Sequence, residues 1–451
     1  MENPHPGRTA VELEALEDAT LAPYAHRSMG TTRRFLIDDG GRTLAYRTAY
    51  QRDRDRLLHS LSFRRLKNKT QVYVPYDGDH HRTRLTHTLE VAQVGRTIAR
   101  ALGLNEDLVE AIALGHDLGQ PPFGAAGNEV LEVLMSGQER VEEIEAEALA
   151  ASGGFRSNYQ SLRVADRLEQ RYDHPGLNLT DPVREGIWKC GQLDDKISYP
   201  DWVKEGLQPD EPPSLEAQTV TVADRIARIA HDLEDGIRAG EVALEAAERL
   251  DLGAAVVHKL GDRYTHLTSR FRRQNSLIRG MIHVLVSDVV VHSWELLMAW
   301  RLEWSESPAA ENANRPPVPP RFERGTVGFS EAVSGLVDEI EAFVETQVYR
   351  SFAVSRMDAR GRSFVKGLFA AYYRDPLQLD DYVLLRYRAS AGGSYLRDLS
   401  GADFQKELAA LYHGNAGFVR LLADHVAGMS DSYAVREYER LYLPFSEPES
   451  R

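Results

Sequence analysis

Wherever the apolar residues of this chain fall into a rhythm, the rhythm is that of a helix. Val220, Val222, Ile226, Ile229 and Leu233 make one stripe, on a helix expected from about Gln218 to Ile237. Leu89, Val91, Val94 and Ile98 are expected to face inward on a second helix, Leu85 to Leu102, which Gly103 stops. Asn105 reads as the N-cap of a third, with Leu108, Val109, Ile112 and Leu114 before Gly115. Leu57, Leu58, Leu61 and Phe63 recur near helical spacing between Arg52 and Lys69, amphipathic helices fill 262–303, and helices continue to about Tyr442. No alternation suggests a substantial sheet, and there is no heptad array or internal repeat. The expected fold is all-α.

At 451 residues the chain exceeds the size at which one core usually stops growing. Residues 1–45 lack sustained periodicity and read as an N-terminal arm over the core. Residues 46–300 read as the core domain, 301–325 as a Pro-rich linker, and 326–451 as a C-terminal helical region packed on it. Within the core, Pro75, Asp77 and Gly78 mark a turn or loop. The acidic, alanine-rich stretch 137–154 looks like a mobile excursion.

A single cysteine, Cys190, excludes an internal disulfide and a cysteine zinc site, and fits a reducing compartment. The first twenty residues are acidic where a signal peptide would be basic and then apolar, and no apolar run reads as bilayer-length. The expectation is a cytoplasmic protein with no membrane partner. A formal net charge of −14 argues against broad coating of nucleic acid. Two basic clusters, Arg64, Arg65, Lys67 and Lys69, then Arg270, Arg272, Arg273 and Arg279, are read as solvated helix faces.

The chemistry-bearing residues sit at helix ends and on one helix face. His116 and Asp117 are adjacent where an apolar helix ends between two glycines, a nitrogen and oxygen pair suited to manganese, iron, cobalt or nickel. A surface pair or a cap explains an isolated His-Asp equally well. Arg84 and His87 stand at i and i+3 near the start of the preceding helix, so a phosphate-binding fork lies beside an imidazole. A satisfied, half-buried histidine is the plain alternative. Asp224, Arg228, His231 and Asp232 share one face of their helix, which is either a solvated stripe or a site. Asp224 lies in the apolar run VTVADRIARIA, where a buried carboxylate needs a partner or a metal.

The run RDRDRLLHSLSFRRLKNKTQVYVPYDGDHHRTRLTHTLEVAQVGRTIARALGLNEDLVEAIALGHDLG closely resembles bacterial dGTPase-like deoxynucleoside triphosphate triphosphohydrolases of the HD superfamily. The likeness continues through GGFRSNYQSLRVADRLE, VADRIARIAHDLEDGIRAG and LLADHVAGMSDSYA, nearly the whole chain. The resemblance implies that His87, His116, Asp117 and Asp224 bind a divalent metal, magnesium included. It places Arg84 on the phosphate nearest the sugar, Gln71 near the ribose and Asp232 near the 3′-hydroxyl. It also implies cleavage of a deoxynucleoside triphosphate to deoxynucleoside and tripolyphosphate, a homo-oligomer, and control by a nucleotide effector in some members.

This chain departs from that pattern where protons move. HDLGQPPFGAAGN places Gln120, Ala125 and Asn128 where the family carries two histidines and a glutamate. Ser157 replaces a further histidine, and Arg228 a tyrosine stacked on the sugar. Glutamine, alanine and serine cannot exchange a proton near neutral pH as histidine does. A triphosphohydrolase, an HD phosphohydrolase with an altered nucleotide substrate, and a nucleotide sensor all follow from this combination. His80, His81, His231 and Glu129 are candidates to replace the lost groups.

Overall fold

The computed structural model describes residues 7–36, 46–72, 82–139, 144–191, 206–307, 310 and 315–443. Among these the architecture is all-α, and the extended pairing consists of two isolated bridges, Arg33 with Thr180 and Thr70 with Thr83. We label the longer helices and those that carry the site: α1 Ala10–Thr20, α2 Ala49–Leu58, α3 Arg84–Leu102, α4 Glu106–Gly115, α5 Gly124–Met135, α6 Ser157–Arg163 and α7 Asp181–Lys189. They continue as α8 Leu215–Ala239, α9 Arg270–Ser305, α10 Glu331–Val344, α11 Phe352–Arg374, α12 Ala416–Ala427 and α13 Asp431–Tyr442.

Local chemistry sets the ends of the central helices. Asn105 caps α4 by accepting from the Leu108 amide at 3.1 Å, and Gly103 closes α3 at φ +70°, a conformation that favours glycine. Ser214 caps α8 through the Ala217 amide at 3.2 Å. The five apolar residues expected on α8 are buried, and α8 lies along α3, which lies on α4. On α3, Val91, Val94 and Ile98 are buried, but Leu89 is 48% exposed. Two residues before Val91 is about 200° around the helix, so Leu89 falls on the far face.

The C-terminal helices do not form a core of their own. Val365, Leu368 and Phe369 of α11 and Leu422 of α12 share one cluster with Val130, Leu131 and Leu134 of α5. That cluster also takes in Ile144 and Leu149, so the described part of 137–154 is packed, with a short helix at Ala146–Ala151, rather than a mobile excursion. In the proline-rich stretch Val318 is exposed, while Arg321 pairs with Glu185 at 2.7 Å and Phe322 packs edge-on against Trp300. Pro75, Asp77, Gly78, His80 and His81 lie outside the described residues.

By length and composition α9 is apolar enough to cross a bilayer, with a mean hydropathy of 1.4 over 18 residues, contrary to the sequence expectation. The charged and histidine residues dispersed along it obscure the run in the sequence. In the fold its Leu277, Met281, Leu285 and Val289 are buried in the main core, and Asp288 accepts from the amide and hydroxyl of Ser330.

Candidate metal centre

The end of α4 is built to project His116 and Asp117. His116 is the C-cap residue, and its Nδ1 donates to the Ala113 carbonyl at 2.6 Å, which leaves Nε2 as the free ring nitrogen. The turn that follows is held from α6: Ser161 Oγ accepts from the Gly119 amide at 2.9 Å and lies 2.7 Å from the His116 carbonyl. A Cβ at residue 119 would stand 2.1 Å from the Ser161 nitrogen, so only glycine lets the two backbones approach. α3 supplies Arg84 and His87 from its first turn, both buried, and α8 supplies Asp224.

These side chains converge. The donor atoms of His87, His116 and Asp117 lie within 4.8 Å of one another. Asp224 Oδ1 stands 2.9 Å from His87 Nε2 and 3.7 Å from His116 Nε2, and His116 Nε2 is 3.6 Å from Asp117 Oδ1. Ligand atoms about 2.1 Å from a first-row ion stand about 3 Å apart when adjacent, so the spacing suits one ion. His116 Nε2 is buried without a hydrogen-bond partner, as a nitrogen reserved for a metal would be.

The electrostatics agree. Burial opposes the charged form of His116, yet Asp117 and Asp224 raise it to about 9. Burial likewise opposes ionisation of Asp224, but His116 and His87 hold it well below the usual carboxylate range. The cluster attracts positive charge, whether carried by a proton or by a divalent cation. All four expected ligands fit a metal centre.

Beside the cluster lies a cavity of about 620 Å³. Gln71, Arg84, Arg228 and Asp232 line it, as do the four substituted positions Gln120, Ala125, Asn128 and Ser157. Arg84 Nη1 donates to Asp117 Oδ2 at 2.9 Å, which ties its guanidinium to the histidine and aspartate cluster. Gln71 Oε1, Arg84 Nε, Asn128 Oδ1 and Asp232 Oδ1 are buried with no partner, an unusual concentration of unmet polar atoms in one cavity. Burial raises Asp232 to about 6. Of the replacement candidates, Glu129 lines the cavity and pairs with Arg362 at 2.6 Å. His231 instead stands behind His87, 1% exposed.

Sequence reasoning missed the far wall. Tyr349, Met357, Asp358 and Arg362 enter the cavity from beyond the proline-rich stretch. The Tyr349 hydroxyl donates to Asp232, and the tyrosine and Arg228 line the same part of the cavity. The run VYRSF carried no signal for this. The floor was missed as well. Lys69, assigned to a solvated basic face, is 2% exposed and donates to the carbonyls of Gln120 and Ala427. Burial pushes its ammonium down to about 7. Asp431 of α13 accepts from the Thr70 amide at 2.9 Å, from the Thr70 hydroxyl, and from the Phe123 amide at 3.0 Å. It thereby joins both edges of the cavity and holds Phe123 at φ +64°.

A helical fold that presents two histidines and two aspartates around one point is that of an HD-domain protein, and the HD domain family matches residues 84–229. The phosphohydrolase-associated domain family matches 327–398, the segment that supplies the far wall. The deoxyguanosinetriphosphate triphosphohydrolase-like protein of Nitrosomonas europaea is 36% identical over 94% of this chain and 98% of its own length. Its namesake from Geobacter sulfurreducens is 35% identical over 96% and 98%, and that from Bordetella pertussis 38% over 88% and 90%. The chain belongs to the deoxyguanosinetriphosphate triphosphohydrolase-like family.

Proposed function

We propose that this protein is a metal-dependent deoxynucleoside triphosphate triphosphohydrolase, acting on dGTP or several deoxynucleotides and releasing deoxynucleoside and tripolyphosphate. The observation that carries the reading is the junction of Arg84 with the metal cluster at the wall of a cavity rich in unpartnered polar atoms. His87, His116, Asp117 and Asp224 would hold the ion, which supplies Lewis-acid polarisation of a phosphoryl oxygen and a water nucleophile at neutral pH. Arg84 binds the phosphate nearest the sugar in bidentate fashion, its charge already oriented by Asp117. Gln71 and Asp232 offer free oxygens to sugar hydroxyls, and Tyr349 offers a ring. Arg228 and Arg362 add positive charge for the outer phosphates.

The test is direct. Purified protein with manganese is expected to release tripolyphosphate from at least one deoxynucleotide. No turnover of any of the four, with cobalt and magnesium also tried and candidate nucleotide effectors present, sinks the proposal. A second reading, a nucleotide sensor, is favoured by Gln120, Ala125, Asn128 and Ser157 standing in the cavity at the substituted proton-transfer positions, and a third, an HD phosphohydrolase with an altered nucleotide substrate, by Arg228 lining the same cavity. The sensor expects nucleotide-dependent thermal stabilisation without product, whereas the altered enzyme expects turnover of another phosphoester in a substrate panel. We further propose a homo-oligomer in the cytoplasm, with no membrane partner and no broad nucleic-acid binding. Sedimentation and fractionation test the assembly and the location.

A further inference from the structure

His87 has a second nitrogen, and what it touches decides whether the first can bind metal. Its Nδ1 lies 3.3 Å from Nδ1 of His231, with the two rings nearly perpendicular at 81°. Two imidazole nitrogens at that distance share one proton. His231 Nε2 makes a short hydrogen bond to Glu90 Oε2. An ionised carboxylate only accepts, so Nε2 of His231 carries the hydrogen, and in the neutral ring Nδ1 is left with its lone pair. The shared proton therefore belongs to His87 Nδ1, and the lone pair of His87 falls on Nε2, which faces Asp224 and the cluster.

We propose that Glu90 and His231 are positioning residues that fix His87 in the tautomer and orientation required for metal binding. The inference rests on the metal-centre reading and deepens it. Arg82 holds Glu90 as an acceptor, with Nε 3.3 Å from Oε1, and is itself anchored on Glu234 at 2.6 Å. The spacing makes the relay a property of two helices. His87 and Glu90 are i and i+3 on α3, while Asp224 and His231 are i and i+7 on α8, so each helix gives one residue to the ion and one to the relay. His116 reaches the same tautomer through a carbonyl of its own helix and needs no such partner. If His231 instead gave a proton to His87 Nδ1, the hydrogen on Nε2 would point at Asp224 and block coordination.

The test is metal affinity, measured on metal-free full-length protein by calorimetric titration with Co²⁺ and by the visible absorption of the bound ion. His231→Leu is expected to weaken Co²⁺ binding by about 10- to 100-fold, the usual effect of losing a partner behind a metal-bound histidine. His231→Asn places a carbonyl oxygen near the former Nδ1, where it accepts from His87, and restores most of the loss. Glu90→Ala, at a half-exposed position that the fold tolerates, weakens binding less but in the same direction. Thermal unfolding of the metal-free variants keeps folding defects apart from binding. Wild-type affinity in His231→Leu, or in Glu90→Ala should the leucine variant not fold, overturns the relay. Equal weakening by Asn and Leu overturns it too. Wild-type protein that binds no Co²⁺ overturns the metal-centre reading beneath it.

Discussion

Replacing Asp431 by alanine tests whether the C-terminal helices hold the cavity together. Its carboxylate is fully buried and accepts from three donors, the Thr70 amide, the Thr70 hydroxyl and the Phe123 amide. Alanine leaves all three without an acceptor. A buried unsatisfied donor costs about 1–3 kcal/mol, and three neighbours in one network fall short of additivity, which puts the gross loss at about 4–5 kcal/mol. Phe123 is held in the left-handed region at φ +64°, and release of that strain returns about 1 kcal/mol. The net expectation is a loss of about 3–4 kcal/mol, read as a lower urea midpoint at unchanged slope. Arg440→Ala is the control on the same helix: the Arg440 side chain is 70% exposed where it pairs with Glu437, and its removal is expected to cost at most about 0.5 kcal/mol. A loss below about 1 kcal/mol for Asp431→Ala would refute the clamp and with it the view that α13 fixes the cavity edges.

Arg84→Lys keeps the charge and loses the fork, so kcat/KM for the deoxynucleotide is expected to fall about 10- to 100-fold while metal content is unchanged; loss of metal would point instead to a role confined to Asp117. Ser157→His, or Ala125→His with Asn128→Glu, is expected to raise kcat by at least about 100-fold if proton transfer limits the reaction, and single-turnover rates read this directly. His425 is buried, and that burial depresses it to about 4. The unfolded chain therefore binds its proton first, and stability present above about pH 6.5 is lost as pH falls toward 4. The loss is about 3 kcal/mol, and a His425→Gln variant should flatten the urea midpoint over that window.

The residues to which the likeness to a known family points lie together: Gln71, Arg84, His87, Asp117, Asp224, Arg228 and Asp232 line one cavity, and His116 Nε2 stands 3.7 Å from Asp224 Oδ1. The residues around them were less legible. Leu89 reads as inward-facing because one misphased leucine breaks no pattern along a sequence, whereas on the helix it falls on the exposed face. Lys69 sits in a run of basic residues and carries no local mark of burial; only the carbonyls of Gln120 and Ala427 explain where its charge goes. Tyr349 and Asp431 gave no signal because their partners are more than a hundred residues away.

By itself the sequence determined the helices, their caps and the pairing of His116 with Asp117, since those depend on neighbours three or four positions apart. Tertiary structure alone decided what faces each ring nitrogen of His87, which polar atoms are left unpartnered, and how α11 and α13 close the cavity. Those outcomes are set by donor and acceptor geometry between segments that meet only after folding, and no local pattern encodes such distances.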